Sequence, residues 1–208
     1  MPNWVLHEIA FTIDGDLVHN KHPKLWDAIK AYVETQPHNL EPEPVIPFDF
    51  DSIVPQPKDI MGITVSVEAL SQASAYLQIP YWYEWRCNNW GTKWNADDVS
   101  VHNSIVTFTT AWANAEPVIK ALSEKFPEVT ITVKFADEDL GGGNNGCYSY
   151  TNGVVNWITE DSYEFACELW GYEPEQDDEE LEDMMDHLAD IVVEFQKYTE
   201  QSKEHANG

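Results

Sequence analysis

Arginine occurs once in this chain, at position 86, and lysine and arginine together number 11 against 37 Asp and Glu, a formal charge of −26 over 208 residues. So cation-poor a surface repels phosphates, because sequence-independent affinity for nucleic acid comes from Lys and Arg neutralising the backbone. Direct binding of nucleic acid is therefore not expected, and no local basic patch reverses the balance. Cysteine is scarce too. Cys87, Cys147 and Cys167 are odd in number and far apart, which fits neither a disulfide framework nor a CxxC metal knuckle and reads as buried thiols. No apolar run approaches the ~18 residues of a membrane span, and Met1-Pro2-Asn3-Trp4 lacks the basic-then-apolar pattern of a secretory leader, so the expected location is the cytoplasm with no membrane partner. Gly-x-Ser-x-Gly and His-Glu-x-x-His are absent, and no nucleophile with its base stands out. An enzyme is the less favoured reading, and neither cofactor nor metal is called for.

Apolar material is plentiful, at 43% with 9 Trp, 9 Tyr and 8 Phe, enough to offset the conformational entropy lost on folding. A first strand is predicted over Trp4–Ile13, closed by the turn Asp14-Gly15-Asp16. From Pro23, residues Leu25, Trp26, Ile29, Tyr32 and Val33 recur at helical spacing and stop near Thr35. Six prolines in residues 36–62 read as extended connection. A helix is predicted over Val67–Leu77, a strand over 99–110, a helix from Glu116 to Phe126, and a strand over Glu128–Ala136 with Val129, Ile131, Val133 and Phe135 on one face. The chain then returns through a hairpin at Asp137–Gly146 and a strand over Cys147–Ile158. The fold class expected is α+β, an antiparallel sheet with helices packed on one face. In this division residues 1–160 form that domain, and residues 161–208 a helical acidic extension beginning with a short helix over Asp161–Trp170.

The extension concentrates charge. Glu173, Glu175, Asp177, Asp178, Glu179, Glu180, Glu182, Asp183, Asp186 and Asp190 fall within eighteen residues that contain no Lys or Arg. Leu181, Met184, Leu188, Ile191 and Phe195 repeat at alternating spacings of three and four, a heptad seam that offers self-association as a homodimer. As a helix this stretch spans roughly 27 Å, or about 2.7 Å per carboxylate, close to the ~3.4 Å per charge of a DNA strand. Its acids are thus candidate partner-binding residues on a DNA-mimicking rod, the alternative being a solvated face on a packed helix.

Four stretches also carry a resemblance: Pro2-Asn3-Trp4, the segment Phe48-Asp49-Phe50-Asp51-Ser52-Ile53-Val54-Pro55-Gln56-Pro57, the block Trp82 to Trp94 with Asn89-Trp90-Gly91-Thr92-Lys93-Trp94 as its most specific string, and Phe108-Thr109-Thr110-Ala111-Trp112 followed by Pro117. Together, over residues 1–158, they resemble the YubB ferredoxin-like domain family. The resemblance implies a ferredoxin-like fold and a phage- or plasmid-encoded protein, and it carries over no catalytic residue. Val5 stands where a Cys is common in that family.

Within the aromatic block, Trp85, Arg86, Asn89, Trp90, Lys93 and Trp94 form a candidate recognition surface, since Trp and cations beside amides make binding hot spots. The alternative is a buried anchor whose indoles are served by Asn and Thr. Gly141-Gly142-Gly143-Asn144-Asn145-Gly146 lacks the Lys-Ser/Thr pair of a phosphate loop and reads as a hairpin. Asp137, Glu138 and Asp139 with Asp97 and Asp98 match no calcium spacing, and His19 and His22 lack a second ligand pair for zinc. The function expected is a non-enzymatic acidic protein that binds and inhibits a host nucleic-acid-handling or defence protein, its partner a basic or nucleic-acid-binding protein. The alternatives are an enzyme handling a small molecule or nucleotide at the Trp block, and a self-associating module.

Overall fold

The computed structural model describes residues 3–35, 45–58, 81–140, 143–158 and 162–174. The predicted helix at 67–77, the seam from Leu181 to Phe195 and the acids from Glu175 onward lie outside the described residues. The chain divides into two compact units, residues 1–172 and 173–208. Every helix and strand of the described residues belongs to the first.

Strand β1 (Trp4–Ile13) alternates, with Val5, His7, Ile9 and Phe11 inward. Asp14 and Gly15, both at positive φ, turn the chain into the two-residue β2 (Asp16–Leu17), which pairs back on Thr12 and Ile13. Helix α1 (Val18–Lys21) leads to α2 (Pro23–Val33). Pro23 starts α2 without losing a hydrogen bond, since the first helical N–H has no partner within a helix. Its stripe of Trp26, Ile29 and Val33 is buried, and Trp26 packs on Phe11.

Past the proline-rich stretch, a one-turn helix α3 (Phe50–Ile53) stands where the sequence reads as extended. Asp49 causes it: its carboxylate caps the turn by accepting from the Asp51 backbone N–H at 3.0 Å. Helix α4 spans Trp82–Asn89. The predicted single strand over 99–110 is instead the hairpin of β3 (Asp97–His102) and β4 (Ile105–Ala111), broken where Asn103 takes positive φ. Helix α5 (Glu116–Lys125) buries Val118, Ile119 and Leu122. Strand β5 (Thr130–Asp137) follows, and the predicted strand over 147–158 is likewise two, β6 (Asn145–Thr151) and β7 (Val154–Ile158). Asn152-Gly153 separates them, both residues at positive φ, as a two-residue hairpin turn demands.

The sheet runs β3-β4-β1-β5-β6-β7, with antiparallel pairings throughout. Its first four positions, taken with α2 and α5 as crossovers, form the split β-α-β arrangement of the ferredoxin-like fold. β6 and β7 extend that sheet beyond β5. Both crossover helices cover one face, and between them Phe48 and Phe50 seat their rings on Phe108. All three phenylalanines are fully buried, worth about 1.5–3 kcal/mol apiece in water-exposed area removed. Helix α6 (Tyr163–Trp170) adds cover on the opposite face: Phe165 and Leu169 border a cleft with Glu8 and Lys134, and the Trp170 indole donates to the Ala136 carbonyl at 3.1 Å. It groups with the sheet in the first unit rather than with the C-terminal residues.

Candidate functional site

The aromatic block resolves into two parts with different roles. Trp90 is an anchor, 1% exposed, its Nε1 donating to the Val54 carbonyl at 2.9 Å and its ring edge-on to Phe50 and Trp85. Asn89 stays local, donating to the Trp85 carbonyl. Arg86 is held between the Trp82 and Trp90 rings at 5.3 and 4.7 Å, and its Nε donates to Gln56 Oε1 at 2.6 Å. Partial burial lowers its pKa, opposed by the charge of Asp51. Because the guanidinium is weakly hydrated and planar, two indole faces can replace much of its water.

The motifs that carry the family resemblance touch one another here. Asn95 accepts from the Phe50 N–H at 2.8 Å and donates to Asp49 Oδ1 at 2.6 Å. Asp49, buried, also accepts from Thr35 Oγ1 and Ser52 Oγ at 3.1 Å each. Gly91 adopts φ +81° against the Asn114 carbonyl and the Pro117 ring, and Thr92 donates to the Ala111 carbonyl at 2.8 Å. These residues form a clamp that joins the proline-rich segment, α4 and the loop after β4. Their primary work is architectural.

The second part, Lys93 and Trp94, lies at the end of the sheet where β1 begins. Lys93 sits 4.7 Å above the Trp94 ring, which lies 5.9 Å from that of Trp4. Backbone pairing brings more groups to this end. Trp112 N–H donates to the Asn3 carbonyl, Glu138 N–H to that of Trp4, and Asp137 N–H to that of Asn144. The Asn144 amide donates to the Trp112 carbonyl at 3.2 Å and to Asp137 Oδ2 at 3.1 Å, and the Asn3 amide donates to Asp139. Trp112 is the notable member. It holds φ +73°, which a bulky L-residue adopts only under constraint, and its side chain is 55% exposed. Asn3 and Asn144 hold its backbone in place while the residue stays exposed, at the end of the sheet that also carries the exposed Glu138 and Asp139. Trp112 is not among the candidates that the sequence singles out; its place directly after an alternating strand and before Ala113-Asn114-Ala115-Glu116-Pro117 is the available signal.

Of the remaining candidates, His22, Asp97, Asp98 and Glu138 are exposed. His19 has Nδ1 3.1 Å from Ser104 Oγ. Asn144 and Asn145 lead from the glycine run into β6, a strand rather than a helix, and Gly141 and Gly142 lie outside the described residues. Among the described residues no group of three or more His, Cys, Asp or Glu is placed to hold a metal ion. The most perturbed polar network is enclosed. His7 is fully buried, with Nδ1 3.0 Å from the Val5 carbonyl and Nε2 3.2 Å from Asn114 Oδ1, and Tyr148 OH donates to the same Oδ1 at 3.0 Å; the neutral ring has one N–H to give to one of its two neighbours. Burial lowers the His7 pKa to about 4 against the pull of these acceptors, so the ring is neutral at pH 7. Burial also raises the Tyr148 and Tyr150 phenols, and Tyr150 OH donates to Glu116 at 2.7 Å. His7 and Tyr148 are inaccessible to solvent, so this polar network lies inside the core. The cleft beside α6 encloses about 100 Å³, below the several hundred that a small-molecule site needs.

No helix among the described residues is long and apolar enough to cross a membrane. No curated protein and no solved structure matches the chain. Residues 89–187 match the family model described as a ferredoxin-like domain in Api92-like protein, and the β3 to α6 portion of this ferredoxin-like fold is thus similar to that domain.

Proposed function

We propose that this chain is a non-enzymatic, strongly acidic interaction protein that binds a basic, nucleic-acid-handling protein of a bacterial host and inhibits it by presenting carboxylates where that partner expects phosphates. The observation that carries this reading is how the cations are used. Across the described residues nineteen Asp and Glu accompany nine Lys and Arg. Lys21, Lys30 and Lys134 pair with Asp16, Asp27 and Glu8, Arg86 lies between indoles, Lys93 and Lys125 lie over the rings of Trp94 and Tyr32, and Lys24, Lys58 and Lys120 are exposed. Asp14, Glu84, Asp97, Asp98, Glu128, Glu138, Glu164 and Glu173 meanwhile stand exposed. The outward field is therefore negative without reliance on the C-terminal acids, and such a field steers and holds a cationic partner.

In this reading Trp112 and its neighbouring carboxylates are the contact centre on the sheet end, because an exposed indole beside acids fits Arg and Lys side chains. The ten acids from Glu173 to Asp190 add further negative charge to the chain. The resemblance of the motifs to the YubB ferredoxin-like family supports a phage or plasmid origin; a cytoplasmic site of action and a role in countering host defence belong to the same proposal. Immobilised full-length protein tests the idea in bacterial lysate. Retained nucleic-acid-binding proteins should elute with rising salt and with added duplex DNA. Retention that ignores both, or recovery of no such protein, would sink the reading.

A further inference from the structure

The two edges of the sheet are built differently. β3 carries Asp97 and Asp98, an irregular register between Asp97 and Ser100, and positive φ at Asp98, all devices that stop an edge from accepting another strand. β7, Val154-Val155-Asn156-Trp157-Ile158, has none of them. Residues 140–159 contain no Asp, Glu, Lys or Arg, in a chain that is 23% charged. Val154, Trp157 and Ile158 are 71%, 52% and 41% exposed, and among the described residues nothing pairs with the outer side of β7.

The backbone of β7 is also set for pairing. The two-residue turn at Asn152-Gly153 makes Thr151 and Val154 a hydrogen-bonded pair. By alternation Asn156 and Ile158 then direct their N–H and C=O toward β6, against Ser149 and Cys147. Val155 and Trp157 direct theirs outward. We propose that β7 pairs antiparallel with β7 of a second copy of this chain about a two-fold axis at Asn156. In that register Val155 and Trp157 of one copy exchange both backbone hydrogen bonds with Trp157 and Val155 of the other, Val154 lies opposite Ile158, and Asn156 lies opposite its own copy. Apolar side chains meet apolar ones and amide meets amide. Two features favour a second copy as the occupant: the apolar pattern is symmetric about Asn156, and a molecule of charge −26 can approach itself only through a surface that adds no local repulsion. Trp157 is already braced for the contact, its ring 5.0 Å from that of Tyr148.

The electrostatics give the association an unusual sign. Bulk repulsion between the copies is screened as salt rises, while the strand pairing itself holds no ion pair to lose. Sedimentation of the full chain over a range of concentrations should show mass climbing from 23.8 kDa toward twice that, and climbing further at about 0.5 M salt than at low salt. Asn156→Asp places two carboxylates face to face on the axis and should weaken the dimer about fivefold, with the circular dichroism of the monomer unchanged. Asn156→Cys should form an intermolecular disulfide under mild oxidation, since directly opposed non-hydrogen-bonded residues have Cα atoms about 4.5 Å apart. Val154→Cys, opposite Ile158, should not. A protein that stays monomeric at high concentration and high salt overturns the proposal. So does a dimer that is indifferent to Asn156→Asp and cross-links no better through Asn156→Cys than through Val154→Cys, because it must use another surface.

Discussion

Gly91 stands so close to Asn114 that a Cβ at residue 91 would lie 2.6 Å from the Asn114 carbonyl oxygen, with the Pro117 ring 2.9 Å away on the same side. The contact joins the turn after α4 to the loop after β4, and it leaves room for hydrogen alone. The same Asn114 turns its side chain toward His7 and Tyr148, so one loop residue couples the aromatic clamp to the buried polar network.

Gly91→Ala should therefore destabilise the protein by about 3 kcal/mol, combining a left-handed backbone with a clash against backbone atoms. Chemical denaturation measures it. A change under about 1 kcal/mol would mean that the loop moves aside.

The buried imidazole sets a pH response. His7 has a pKa of about 4 in the fold against an ordinary value of 6.5, so between these values the unfolded chain binds a proton that the folded one refuses. Stability contributed by the neutral ring is complete above pH 6.5 and is lost as pH falls toward 4, by roughly 3 kcal/mol in all. His7→Gln should flatten the stability profile between about pH 6.5 and 5, above the range where ordinary carboxylates dominate. An unaltered slope in that window would contradict the burial argument.

Trp112 separates fold from contact. Because its backbone is left-handed and its indole faces solvent, Trp112→Gly should leave stability unchanged or raise it by about 1 kcal/mol. Capture of a basic partner should fall about tenfold or more if the indole is a binding centre. Loss of stability with intact capture would assign the residue to packing instead.

Much of this architecture is legible in the sequence where a single periodicity governs a segment. β1, α2, α5 and β5 follow directly from alternation or from helical stripes. Two hairpins read as single strands because alternation continues across their turns, although Asn152-Gly153 is itself a strong turn signal. α3 is hidden because prolines dominate its surroundings, while the capping carboxylate of Asp49 acts over only one turn. The Trp block divides between interior and surface for a reason no local pattern encodes: which indole is buried depends on Phe50 and Val54, far earlier in the chain. Trp112 owes its display to Asn3 and Asn144, contributed by opposite ends of the domain.

The strand order carries a consequence for how the chain is made. Among the described residues β1 pairs with β4 and β5 and with the short β2, so this strand waits for partners that follow about ninety residues or more later in the chain. Among the described residues, β3 and β4 on one side and β5, β6 and β7 on the other join the sheet through β1. β1 is thus the keystone of the sheet rather than its beginning, and the domain closes as a unit through long-range pairings instead of growing strand by strand.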